Sequence, residues 1–464
     1  MRDLLDTQRA AYLVTGAPTL ETRLNQLEAL KVAVLAHRQR LIEAVSADFG
    51  HRSAQETSYL DLLPVVATID YLKSNLARWM RPERRRVALH FQPGRAEVVY
   101  QPLGVIGIIS PWNYPIVLAL TPLATALAAG NRVMLKPSES VPRTSALLEE
   151  MMASVFPTDT VALVTGDVGV AAEFSRLPFD HLVFTGSTAV GRTVMRVAAD
   201  NLVPVTLELG GKSPAIVARG SSLKRAAHGI AFGKLTNSGQ TCIAPDYALV
   251  AREEVEAFVG AFRTEVDRFY PRIATNPDYA TIIDGHHVAR LQRLLHDASA
   301  KGAIVHEIGG SQQNGPVLHS RTFLPRIVTG VTDAMMVMRE EIFGPILPIV
   351  PYDTLDDAIA YVNGHARPLA PYFFGPDGPD RADVLARTTS GNVTINDTLL
   401  HYAQDDLPFG GVGASGMGFY HGHEGFKALS HAKGIFIQPR LNMSDVIRPP
   451  FGALFDQITR FILR

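Results

Sequence analysis

Cysteine is nearly missing from this chain: among 464 residues there is one, Cys242. A single thiol excludes an intrachain disulfide framework and any metal site built on several thiolates. An excess of one charge is missing too. Lys plus Arg number 44 against 45 Asp plus Glu, a formal net of −1, so no sequence-wide positive field exists to neutralise nucleic-acid phosphates. Long apolar runs are absent: Ile116–Gly130 carries two threonines and a proline and falls short of the ~20 residues a bilayer span needs. The opening MRDLLDTQRA is charged throughout and holds no secretory hydrophobic region. The chain as a whole is 47% hydrophobic and 19% charged, with 37 Gly and 30 Pro, neither disordered nor collagen-like and ample for a large core. These limits lead us to expect a cytoplasmic protein of about two to four interleaved domains, without nucleic-acid partners or integral membrane contact.

Apolar residues recur at helical spacing through Leu20–Val45 (Leu24, Leu27, Leu30, Val34, Leu41), and Leu60–Met80 continues in kind, so the chain up to residue 80 reads as mainly helical. After a basic run at 81–86, read as a solvated face, VALHFQPGRAEVVY reads as a hairpin turning at Pro93-Gly94. From Gly104 onward short apolar runs (GVIGII, RVMLK, VALVTG, HLVFTG, VTLELGG, PAIVA) alternate with helical stretches, the pattern of βαβ units on a parallel sheet. A second series follows Cys242: YALVA, the helical EEVEAFVGAFRTEVDRF, ILPIVPY and GNVTIND. The closing PPFGALFDQITRFILR sets Phe451, Leu454, Phe455, Ile458, Phe461 and Ile462 on one helical face, expected to pack on its own domain or a partner subunit.

Two glycine-rich spellings differ in context. Gly411–Gly416 fits G-x-G-x-x-G but follows Asp405-Asp406-Leu407-Pro408-Phe409 instead of an apolar strand, so it reads as a loop with another task. Gly186–Thr193, GSTAVGRT, follows the strand-like HLVFT and spells a P-loop with Arg192 in the lysine position. Its backbone N–H groups suit a phosphate, and a tight structural turn fits the spacing equally. The missing lysine argues against NTP hydrolysis. Of 15 histidines, His286-His287 and His421-Gly-His423 read as surface or core residues, not metal ligands.

Three residues carry chemistry between them. Cys242 sits in NSGQTCIAP, between a helical stretch broken at Asn237-Ser238-Gly239 and a strand, where a side chain can face a cleft; a buried small hydrophobe is its plain alternative. Glu208 lies between Leu207 and Leu209 at an expected strand end, where desolvation would raise its pKa toward that of a general base. Asn113, bracketed by Pro111 and Pro115, is a side-chain amide in a stiff loop that can donate to an oxyanion or to its own turn.

Together with PWNYP, LKPSE, FTGSTAVG, LELGGKSP, NSGQTC, EEIFGP and LPFGGVGASGMG with YHG, these residues make the chain resemble the aldehyde dehydrogenase superfamily. The third class, in its coniferyl-aldehyde dehydrogenase branch, is the nearest likeness, from Gln101 to about Phe426. The resemblance implies an α/β fold: a Rossmann-type cofactor domain (1–80 and 101–209), an α/β catalytic domain (210–410), a small β oligomerisation arm (81–100 and about 430–440) and a tail helix (441–464). It implies Cys242 as nucleophile, Glu208 as general base and Asn113 as oxyanion amide. Lys136 and Glu139 would hold the adenosine ribose, Gly186, Ser187 and Gly191 the diphosphate, and Glu341 the nicotinamide ribose. Trp112, Phe343 and the Leu209 backbone would flank the nicotinamide.

The implied reaction is NAD(P)-dependent oxidation of an aldehyde to the acid through a thioester. Free cysteine titrates near ~8.5, so a helix end, the cofactor's charge or Glu208 must help ionise it. Tyr114, Leu118, Ile243 and Tyr247 make a hydrophobic substrate entrance plausible, suited to aromatic or medium-chain aldehydes such as coniferyl aldehyde. The Glu139 charge favours NAD over NADP, with NADP tolerated. Edges near Val87–Tyr100 and Gly434–Gln438 suit a homodimer. GVGASG and LAPYFFG, with Pro371, depart slightly from the family spelling. A cysteine hydrolase or thioesterase and a silent nucleotide-binding protein are the alternatives; neither accounts for Asn113, Glu208 and Cys242 together.

Overall fold

Strands whose apolar residues run on without alternation call for a sheet covered on both faces. Arg132–Lys136 and Tyr247–Ala251 are buried along their whole length, and each lies inside a parallel sheet. The structure, a computed structural model, describes residues 1–309, 319–440 and 447–463. The fold is α/β. One sheet has the order Gly416–Met417, Val205–Leu209, His181–Gly186, Val105–Ile109, Arg132–Lys136, Val161–Leu163, parallel except for its first strand. Its strands grow outward in both directions from Val105–Ile109 and His181–Gly186. The carboxyl ends of that pair form the switch point at which open α/β sheets hold ligands.

The other large sheet runs Ile304–Glu307, Arg326–Thr329, Ile346–Tyr352, Tyr247–Ala251, Pro214–Val217, Tyr372–Phe374, Thr394–Ile395, parallel beyond its antiparallel first pair. N-terminal helices Leu20–Ala36, Arg38–Phe49 and Leu63–Trp79 bury Leu27, Leu30, Leu41, Ile69 and Leu72 in one core with Leu123 and Leu127 beside the first sheet. Among the described residues no helix is long and apolar enough to cross a membrane.

Two expectations change. The hairpin forms, but its first strand is Glu83–Arg85 within the basic run, with Glu83 opposite Val98, while Leu89–Phe91 is a short 3-10 turn. Charged side chains suit a water-facing edge strand. Ser430–Ile437 pairs along the full length of Arg95–Pro102 and completes a three-stranded antiparallel sheet. The tail helix Ala453–Ile462 forms with its apolar face as expected; of the two coverings expected for that face, its own domain does not bury it, since Leu454, Phe461 and Ile462 stay exposed. Amphipathic spacing sets which face is apolar, not what covers it.

Candidate active site

The loop that carries Cys242 begins where the helix Leu223–Leu235 ends. Asn237, Ser238 and Gly239 follow with φ of +50°, +52° and +75°, three consecutive residues in left-handed conformation. For non-glycine residues such conformations cost roughly 1–3 kcal/mol each and persist only when the surroundings over-determine them. Here they do. Asn237 Nδ2 donates to the Asn113 carbonyl at 2.9 Å, and Gln240 Nε2 donates to the carbonyls of Asn237 and Thr281 at 2.9 and 3.1 Å. The Ile283 N–H donates back to Gln240 Oε1 at 2.9 Å. Cys242 follows, half-buried, two residues after Gln240.

Asn113, 3% exposed, leaves the first sheet just past Ile109. Its Nδ2 donates to the Gln240 carbonyl at 3.1 Å, and the Tyr114 hydroxyl and Thr241 Oγ1 are 2.6 Å apart. The loop at 112–114 is thus tied to the residues immediately before Cys242. Behind it lies a buried ion pair, Arg52 Nη1 to Asp61 Oδ2 at 2.8 Å; the same nitrogen donates to the Asn113 carbonyl at 3.3 Å. Asp61 Oδ1 accepts the Ile116 and Val117 N–H groups at 3.2 and 3.0 Å, so a carboxylate holds the first turn of the next helix.

Glu208 is the last residue but one of the strand Val205–Leu209 and is 3% exposed, with neither carboxylate oxygen hydrogen-bonded. Burial pushes its carboxyl well above the usual range. An orphaned buried carboxyl is costly, which marks it as held for something other than stability. The GVGASG loop finds its task here. Leu209 donates its N–H to the Ser415 carbonyl at 3.1 Å, and Gly416 pairs opposite Glu208. Gly416 has φ of +144°, and a Cβ there would stand 2.1 Å from the Leu207 carbonyl oxygen, so only glycine lets the loop close over this edge.

Burial pushes the Cys242 thiol up to about 12, and the Glu341 and Glu208 carboxyls push the same way. The backbone N–H groups of Cys242 and Ile243 favour the thiolate and partly offset this. Two carboxyls, Glu208 and Glu341, therefore both lie within electrostatic reach of the Cys242 thiol. Glu341 is lifted to about 8, first by burial and then by Asp246. Its loop is set by the Ile342 N–H on Asp246 Oδ1 at 2.9 Å and by Arg290 Nη1 on the Glu341 carbonyl at 3.1 Å.

The cofactor candidates gather at the carboxyl edge of the first sheet. Lys136 ends its strand with Nζ 3.3 Å from Glu139 Oε2. Gly186 ends another, and Ser187 caps the helix Thr188–Ala199 by accepting from the Val190 N–H at 3.4 Å. Gly191 lies against Leu209, where a Cβ would meet Leu209 Cδ2 at 2.5 Å. Trp112 meets Phe343 edge-on with centroids 5.4 Å apart. Glu341 Oε1 is buried without a partner, and the carboxyl lies so close to Gly210 that a Cβ there would stand 2.0 Å from Oε2. A helix N-terminus for a diphosphate and two carboxyls for ribose hydroxyls fit a dinucleotide.

A cavity of about 220 Å³ opens in front of Cys242. Tyr114, Leu118 and Ile243 line it as expected. Tyr247 does not: it is buried in the other sheet's core, edge-on to Tyr361 at 5.8 Å, because strand alternation turns it away from the cavity side. The sequence reading missed Tyr59, Leu60 and Leu63 of the N-terminal helices, and Phe232, Leu399 and Tyr402, which reach the cavity only through tertiary packing. His421 proves a core histidine that also lines the cavity, held neutral as burial pulls it down to about 3. Lys234 was missed too; its Nζ is buried without a partner and burial lowers it to about 8. A lysine inside the apolar GIAFGKL was the available signal. Among the described residues no cluster suits a metal ion.

The aldehyde dehydrogenase family model matches residues 4–435. A Pseudomonas aeruginosa protein named "Probable coniferyl aldehyde dehydrogenase" is 53% identical over 455 residues, covering 98% of this chain and 94% of that protein. The coniferyl aldehyde dehydrogenase of a Pseudomonas species is 48% identical over 460 residues, covering 99% and 95%. A solved structure described as the substrate-bound state of Staphylococcus aureus AldH superposes with a TM-score of 0.92 at 34% identity, covering 99% of each chain.

Proposed function

The chain belongs to the aldehyde dehydrogenase family and is an oxidoreductase acting on aldehydes; from that premise we infer the route, the substrate class and the setting in which it works. The Cys242 thiolate attacks the aldehyde carbon. Asn113 spends one of its two N–H bonds on the Gln240 carbonyl and keeps the other for the tetrahedral oxygen, joined by the Cys242 backbone N–H. Bound NAD(P) supplies the hydride acceptor, held by Lys136, Glu139, Ser187 and Glu341. Loss of hydride from the thiohemiacetal leaves a thioester on Cys242. Glu208, with no protein partner for either oxygen, takes a proton from water, and the resulting hydroxide releases the acid.

The observation that carries this route is the orphaned Glu208 carboxyl within electrostatic reach of a thiol that lines an apolar cavity. The cavity wall, with Tyr59, Leu63, Tyr114, Leu118, Phe232 and Leu399, suits aromatic or medium-chain aldehydes, and two relatives are named for coniferyl aldehyde. NAD is the preferred cofactor, since the half-exposed Glu139 repels a 2′-phosphate, and Lys136 at 3.3 Å leaves NADP tolerated. Purified protein with an aldehyde panel and both nicotinamides should form reduced NAD fastest with aryl aldehydes. A higher kcat/KM for anionic semialdehydes would end the assignment.

A reactive thiol needs a reducing compartment, so we place the enzyme in the cytoplasm. The antiparallel sheet leaves Phe436 and Ile437 exposed along Ser430–Ile437, which suits pairing with a second copy. Light scattering should give twice the chain mass of 50.4 kDa; a monomer would contradict the dimer.

A further inference from the structure

Among the described residues that line the cavity before Cys242, one side chain carries a formal charge, Asp405. Its position is built. Thr68, 4% exposed on the helix Leu63–Trp79, donates its hydroxyl to Asp405 Oδ1 at 2.6 Å. Tyr71 on the same helix donates to Asp406. The segment Leu399–Asp406 is thereby clamped to that helix, and both contribute to the cavity wall. Behind the segment a Cβ on Gly422 would stand 2.4 Å from the Asp405 carbonyl oxygen, so the backbone has no room to retreat.

The bond from Thr68 occupies one carboxylate oxygen. Among the described residues no cation pairs with Asp405, and no donor reaches its second oxygen. Burial lifts its carboxyl, and the Thr68 bond draws it back. The nearby polar wall offers no charge to balance it, because His421 stays neutral. A half-buried carboxylate with a free oxygen, facing a cavity whose wall holds no other charge, is costly unless a ligand's donor reaches it.

We propose that Asp405 is the specificity-determining residue of the cavity: it accepts a hydrogen bond from a hydroxyl carried on the apolar body of the aldehyde, and it turns away aldehydes that carry a carboxylate. This rests on the aldehyde reading above and concerns which aldehydes enter. A charge-assisted bond to a hydroxyl is stronger than a neutral one. A second anion in a low-dielectric cavity is repelled far more than in water.

The test compares kcat/KM for cinnamaldehydes bearing 4-hydroxy, 4-methyl or 4-carboxy groups, in the wild type, Asp405→Asn and Thr68→Val. The wild type should rank hydroxy above methyl above carboxy. Asp405→Asn should raise the carboxy-to-methyl ratio at least about tenfold and lower the hydroxy-to-methyl ratio at least about threefold. Ratios within one variant cancel any loss common to all substrates. Thr68→Val keeps the charge but frees its orientation, so exclusion of the carboxylate should persist while the hydroxyl preference shrinks. Ratios within twofold of wild type in Asp405→Asn overturn the proposal. If that variant does not fold, an unchanged hydroxyl preference in Thr68→Val overturns it instead. A wild type that reduces no nicotinamide with the 4-methyl compound would refute the aldehyde route itself, a separate outcome.

Discussion

Glu208→Gln is expected to release one equivalent of reduced nicotinamide per active site and then stall. Attack and hydride loss need Cys242 and Asn113, whereas hydrolysis of the thioester needs a base, and the amide is none. Steady-state turnover should fall about 10²–10⁴-fold, the range that a positioned general base contributes. Mass spectrometry should then find the acyl group on the Cys242 peptide. Intact steady-state turnover would show that water is activated elsewhere. The same substitution should stabilise the fold. Burial raises the Glu208 pKa in the folded state, so the native chain holds a proton that the unfolded chain gives up above about 4.5. Stability is therefore full below that pH and declines as pH rises toward the folded pKa. Glutamine has no proton to lose. The melting temperature of the variant should exceed that of wild type by a margin that widens as pH rises above about 5 and levels off once the folded pKa is passed.

The largest loss is expected from Cys242→Ala, on the order of 10⁴–10⁶-fold in kcat, because the covalent path disappears altogether. Retained NAD(P) binding by calorimetry would separate this from unfolding. A finer reading comes from the thiol in the wild type. Burial and two neighbouring carboxyls hold it up to about 12 in the free protein. Alkylation by iodoacetamide should accordingly rise about tenfold per pH unit between pH 7 and 10, since only the thiolate reacts. A plateau near pH 8 would mean that the sulfur is not held in this way. The expectation that Glu208 helps ionise the thiol takes a sharper form: a charged Glu208 opposes the thiolate, so it assists only as an acceptor of the proton.

Much of the architecture was legible because period and burial are local properties. Continuous apolar runs such as RVMLK and YALVA announced strands covered on both faces, and both became interior strands of parallel sheets. The second strand of the hairpin lies where the pattern puts it, but the first lies a few residues earlier, since an exposed edge accepts charged residues that a pattern search skips. Tyr247 was misplaced for a related reason: nearness to Cys242 in sequence does not fix the face of a strand. The tail helix shows the limit from the other side, for its apolar face was readable and its exposure was not.

Residue identity alone determined the chemistry on offer: one sulfur, a carboxyl flanked by leucines before Gly210-Gly211, and an amide between prolines, each in a motif long enough to mark the family. Tertiary structure decided how those groups act. Desolvation depends on what surrounds a side chain, and neither the orphaned oxygens of Glu208 nor the raised Cys242 thiol can be read from neighbours in sequence. The cavity wall likewise exists only because Leu63–Trp79, Phe232 and Leu399–Asp406, segments far apart along the chain, pack around one space.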